Sequence, residues 1–125
     1  MASAPAARAF LARPVVRAAL TSATVMAAGD ALCQALRANA AGRPLSLSTL
    51  DAASSARFGL VGLTLHGPYF LRAFRWLDAL PVARLGGGRL QQAALRTLAG
   101  QTTVFPVYLV AFFTEMGLLE GLSAR

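Results

Sequence analysis

The sequence has no lysine, one cysteine and one histidine, and only five acidic residues stand against its twelve arginines. Each scarcity excludes something. A single cysteine forbids an internal disulfide and any cysteine-based zinc spacing. Cys33 lies inside an apolar run and reads as a small packed residue rather than a reactive thiol. The missing lysine, beside abundant alanine, arginine and glycine, reads as genomic base composition, and no chemistry is drawn from it. The three glycines Gly86 to Gly88 lack the Lys-Ser/Thr of a phosphate loop and read as a flexible turn. Ser, His and acidic residues occur, but no motif brings them together, so neither a catalytic site nor a metal or cofactor site is expected.

The net charge of +7 does not mark a nucleic-acid binder. Its arginines sit singly or in pairs at the margins of apolar stretches. They form no patch and do not alternate with aromatics in a polar setting.

What is present is apolar. Hydrophobic residues make up 56% of the chain and charged residues only 14%, against roughly a quarter charged in a soluble domain. Mean hydropathy is +0.55. Lipid is the solvent that such a surface suits. At 125 residues the chain is about one domain long.

The N-terminal stretch "MASAPAARAFLARPVVRAAL" holds Arg8, Arg13 and Arg17 and no acid. That is the composition of a mitochondrial presequence. Two readings compete for residues 1–13: a cleaved targeting segment, or a retained basic anchor.

Three apolar helices are expected after it, near residues 14–39, 50–80 and 90–119. Pro14 opens the first, where a missing N–H is harmless. Asn39, Gly42 and Pro44 stop it. Ser48 is expected to cap the second helix, with Asp51 three residues on in a capping-box position. Its uncharged core, Phe58 to Leu71, is shorter than the ~20 residues of a simple span. Arg57 and Arg72 flank that core and can snorkel outward, and Trp76 stands where an interfacial aromatic belongs. Pro81 ends the helix. In the third, Thr97 to Thr114 carries no charge.

The expected fold is therefore an all-α integral membrane bundle of three spans, because backbone in lipid must bond within its own segment. A soluble helical bundle is the structural alternative, but "VFPVYLVAFF" is apolar all round.

Orientation follows from the arginines. Arg8, Arg13, Arg17, Arg72, Arg75, Arg84, Arg89 and Arg96 fall on one side, against Asp78. Arg37, Arg43, Arg57 and Arg125 fall on the other, with Asp51, Glu115 and Glu120. The positive-inside rule puts the N-terminus in the matrix or cytosol.

At this point the motifs form an ordered set: Pro14, Thr21, Gly29–Asp30 and Gln34; then Asp51, Arg57, Gly62, Gly67–Pro68 and Leu77–Asp78; then Gln101, Pro106 and "LLEGLSAR". In order and spacing the set resembles the small organelle membrane proteins of the family that includes Mpv-seventeen and the twenty-two-kilodalton peroxisomal membrane protein. There are departures. Leu71, Ala73 and Phe74 replace the family's His-x-Trp-Tyr, and Gly100 replaces an aspartate. The resemblance covers about the first two-thirds of a family member, without its fourth helix. It implies a mitochondrial inner-membrane or peroxisomal location, and for some members a non-selective channel.

Several residues stand out as candidates. A charge within lipid is costly, so Asp30 should face protein or water. Gln34 lies one turn on, on the same face. Topology aims both at the start of the second helix, and an Asp30–Arg57 contact with Gln34 close by is expected. A structural pair, a water-filled pathway and a contact to another subunit are the three readings of it. Gln101 is the candidate polar contact of the third helix. His66 is expected as a neutral, hydrogen-bonded residue rather than a proton relay. Gly29, Gly62 and Gly67 are candidates for close helix packing, and Pro68 and Pro106 for kinks. Arg72, Arg75, Arg84 and Arg89 gather at the matrix-side interface. They set topology and could also hold a phospholipid head group such as cardiolipin.

The expected function is a non-catalytic accessory subunit of a mitochondrial inner-membrane complex, respiratory in kind. Its partners would be membrane lipids and other membrane subunits, with no nucleic acid and no small-molecule substrate. A small channel of the organelle membrane is the alternative.

Overall fold

The computed structural model describes residues 4–44 and 46–123. The expectations that fall on Arg125, and on residues 1–3 of the basic segment, lie outside the described residues. The protein is all-helical, 88% helix, with no strand among the described residues.

A short helix, α1 (Ala4–Leu11), carries Arg8. It leads through Arg13 into the first long helix, α2 (Pro14–Ala40), which has Pro14 in its first turn. The C-terminus of α2 is a Schellman closure. Gly42 N–H bonds to Asn39 O and Arg43 N–H to Ala38 O, with Gly42 at φ +68°. That left-handed backbone favours glycine, which explains why the helix stops there.

The second long stretch runs through α3 (Ala52–Val61), a π turn (Gly62–His66) and α4 (Gly67–Ala79) without a break. Asp51, not Ser48, is its N-cap. The Asp51 carboxylate accepts from Ser54 N–H at 3.0 Å, while residues Leu47–Thr49 form a separate 3-10 turn. The cap falls on Asp51 because its short side chain reaches the amide three residues on. Leu80, before Pro81, turns extended and ends the helix.

A 3-10 turn (Val82–Leu85) and the positive-φ glycines Gly86 and Gly87 make the second connection. The third stretch is α5 (Arg89–Ala99), a π turn (Gly100–Val104) and α6 (Phe105–Ser123).

Both π turns have a cause. Each begins at a glycine and ends two residues before a proline. Gly67 N–H bonds to Gly62 O, and Phe105 N–H to Gly100 O. Pro68 and Pro106 have no N–H, and a proline ring clashes with the carbonyl four residues back. Widening the turn relieves both demands. Each turn also places a threonine at its third position. Thr64 donates to Leu60 O at 2.8 Å and Thr102 to Leu98 O at 2.9 Å. These hydroxyls serve carbonyls near the disturbed ladder, as hydroxyls do in membrane helices.

The middle stretch is the hub. α2 lies along α3, the π turn and α4, whereas α6 meets α3 more sparingly. Two helices, Pro14–Ala40 and Arg89–Leu122, are long and apolar enough to cross a membrane. The buried core is small. It consists of Ala19, Ala38, Val61, Leu77, Val82, Val104, Tyr108 and Met116.

Candidate functional site

The interface between α2 and the middle helix is built from glycine. A Cβ on Gly62 would stand 2.7 Å from Ala23 Cα and 2.6 Å from Ser22 O. On Gly67 it would stand 2.6 Å from both Ala19 Cα and Ala18 O. The backbones touch at both places, which only glycine permits. Ala19 and Ala23 are one α turn apart, about 6 Å. Gly62 and Gly67 are five residues apart, and the π turn absorbs the extra residue so that both face α2. Gly29 differs: it is exposed, and a Cβ there would meet nothing within 4 Å. Its expected packing role is corrected accordingly, because α2 turns Gly29 away from the middle helix.

Where α2 approaches the start of α3, polar groups converge. Gln34 Nε2 donates to Asp30 Oδ2 at 2.6 Å and to Asp51 O at 3.1 Å. Asp51 N–H donates to Gln34 Oε1 at 2.6 Å. Ser55 Oγ donates to Asp30 Oδ2 at 2.8 Å. Arg57 and Asp51 are 3.9 Å apart as an ion pair. The expectation set Asp30 against Arg57. Among the described residues, the bonds to the Asp30 carboxylate come instead from Gln34 and Ser55, and Arg57 pairs with Asp51. Ser55 sits one turn past the cap, so its hydroxyl meets α2, and a short donor there suffices for a short acid.

A second seam joins the middle and third helices. His66 Nδ1 and the Tyr108 hydroxyl are 2.8 Å apart. Tyr69 donates to Val104 O at 2.6 Å. Thr64 also contacts the Glu115 carboxylate. Its hydroxyl therefore lies between two acceptors, Leu60 O and Glu115, with one proton to share. Phe70 packs on both His66 and Tyr108, with ring centroids 4.7 Å away in each case. Tyr108 and Glu115 were hidden in the sequence. Tyr108 sits in an apolar run, and Glu115 looks like the end of a span rather than a residue level with the middle helix. Ser55, Thr64 and Tyr69 gave no signal as isolated small or aromatic residues.

Gln101 joins neither seam. It is exposed and makes no side-chain hydrogen bond among the described residues. It lines a recess with Asp78, Arg96 and Leu77, where Arg96 Nε is buried without a hydrogen-bond partner. The π turn at Gly100–Val104 rotates Gln101 off the helix contact, while Gly100 faces Leu77 at 3.2 Å from a would-be Cβ. Arg72, Arg75, Arg84 and Arg89 are all exposed. Arg72 borders a groove along α4, and Arg84 a separate recess with Leu80 and Leu85. Cys33 is exposed rather than packed. Among the described residues no set of three His, Cys, Asp or Glu side chains converges as a metal would require.

No family model, curated protein or solved structure matches the chain. The resemblance to the Mpv-seventeen family therefore rests on its ordered motifs.

Proposed function

We propose that the chain is a non-catalytic accessory subunit of a mitochondrial inner-membrane complex, respiratory in kind, with three spans and its N-terminus in the matrix. The reading takes up the membrane fold of the Mpv-seventeen family, which its motifs resemble. The middle helix joins the two apolar ones as a span, its Arg57 and Arg72 snorkelling towards opposite faces.

One observation carries the reading. The third helix is covered on one side only, and its outer face is a ladder of large apolar side chains. Val110 is 70% exposed, Phe113 67%, Leu118 65% and Leu122 70%. Contiguous apolar surface of that kind marks a lipid or protein interface. The Gln34–Asp30–Ser55 and His66–Tyr108 contacts meanwhile join one helix to the next, which is the work of fastening helices. The acid-free, arginine-bearing start of the chain supports the mitochondrial address, with the peroxisomal membrane as its alternative.

The test is purification of the tagged chain from membranes in mild detergent, with co-purifying proteins identified by mass spectrometry. Inner-membrane complex subunits in stoichiometric amount are expected. A chain that purifies alone contradicts the proposal. The channel reading draws on the Asp30–Gln34 cluster. It requires the purified chain to conduct ions in planar bilayers, with Asp30→Asn changing their selectivity.

A further inference from the structure

We propose that the groove along α4 between Leu65 and Trp76 is the seat of one acyl chain of an anionic phospholipid, whose phosphate rests on Arg72. The inference presumes the membrane placement proposed above. The groove is about 480 Å³, and Leu65, Pro68, Tyr69, Ala73 and Trp76 line it together with Arg72 and, at its deep end, Thr64, whose hydroxyl is taken up by Leu60 O. Val104, on the third helix, closes one wall.

The shape comes from the sequence. Ala73 is the smallest side chain of the lining. Pro68 interrupts the helical ladder, and the π turn before it widens the helix. Tyr69 donates its hydroxyl to Val104 O, which leaves the ring to the groove and removes a polar group that an acyl chain would otherwise desolvate. From Thr64 to Arg72 the helix advances about 12 Å, most of the ~15 Å of hydrocarbon in one leaflet.

The charge is at the correct end. Arg72 and Trp76 mark the interfacial end of α4, where a head group and an aromatic belt coincide. Arg72 is exposed, and among the described residues it has no ion pair or side-chain hydrogen bond. Its five donors are open to a phosphate, which a guanidinium binds in bidentate fashion. An anionic lipid suits this site better than a zwitterionic one, whose own ammonium group would face Arg72.

Trp76 is the chain's one tryptophan and lines the groove, so its fluorescence reports on lipid seated beside it. The experiment reconstitutes the full chain in phosphatidylcholine vesicles that contain a minor fraction of brominated phospholipid, either anionic or zwitterionic. The inference expects the anionic lipid to quench Trp76 at several-fold lower mole fraction. Arg72→Gln should reduce that preference about fivefold, the factor supplied by one basic residue at an anionic surface. Arg43→Gln, on the opposite side of the membrane, should leave it unchanged. Ala73→Leu, which narrows the groove, should weaken quenching by the anionic lipid without unfolding the helix.

Equal quenching by both lipids, or a preference that survives Arg72→Gln, overturns the site while leaving the membrane reading intact. Absence of quenching by either lipid overturns both, since Trp76 would then lie against protein or outside the bilayer.

Discussion

The side-chain amide of Gln34 bonds both backbone groups of Asp51. Asp51 N–H donates to Oε1 at 2.6 Å, and Nε2 donates to the Asp51 carbonyl at 3.1 Å. Gln34 thus acts as a peptide unit pairing with the residue that caps the second long helix. Asp30 accepts the other amide proton at 2.6 Å and holds the group in orientation. The acid of the first helix therefore secures the start of the second.

Gln34→Leu should lower stability in detergent by about 1–3 kcal/mol, the cost of leaving partly buried polar groups unpaired. Gln34→Glu should cost more than that, because it sets a second carboxylate against Asp30 and replaces the donor to Asp51 O with an acceptor. Thermal unfolding followed by circular dichroism reads both. Equal stability of all three proteins would remove the cluster from the account.

Asp51 and Ser48 provide a contrast. Asp51→Ala removes the bond to Ser54 N–H and should cost about 1 kcal/mol. Ser48→Ala should cost a few tenths at most, since Ser48 lies in the preceding turn and, among the described residues, its side chain bonds Ser46 Oγ. The reverse order would restore Ser48 as the cap.

The glycines separate in the same way. Gly62→Ala and Gly67→Ala place a methyl group within 2.7 Å of backbone on α2, so each should force the helices apart and reduce the folded yield sharply. Gly29→Ala meets open space and should be neutral or stabilising by up to about 1 kcal/mol, the ordinary gain of alanine over glycine within a helix. Yield and melting temperature in one detergent decide the matter.

His66 and Tyr108 should behave as a coupled pair. Tyr108→Phe and His66→Phe each break their 2.8 Å bond, so the double variant should cost less than the sum of the two. The shortfall should be about 0.5–1.5 kcal/mol. Strict additivity would show that the bond contributes nothing.

Much of the helix plan was legible because proline, glycine and apolar runs act locally. Pro14, Gly42 and Pro81 punctuate the chain where they stand in the sequence. The contacts were less legible because they depend on helix rotation. The π turns before Pro68 and Pro106 each add a residue to one turn, which shifts every later side chain around the axis. Gln101 consequently faces away from the contact. Asp30 could be aimed at the right end of the second helix from topology alone. The choice of Ser55 over Arg57 required the register set by the glycine contacts. Glu115 was placed at a span's end by counting residues, and its contact with Thr64 comes from the way the third helix lies across the second.

The central claim is that this chain works as one component of a larger membrane complex. Two-dimensional native electrophoresis of mitochondrial membranes, solubilised in mild detergent and probed for the tagged chain, tests it most directly. The account predicts co-migration with a respiratory assembly far larger than the 13.0 kDa chain, with loss of that band in Gly62→Ala. Migration of the intact protein as a monomer or small oligomer under the same conditions would contradict it.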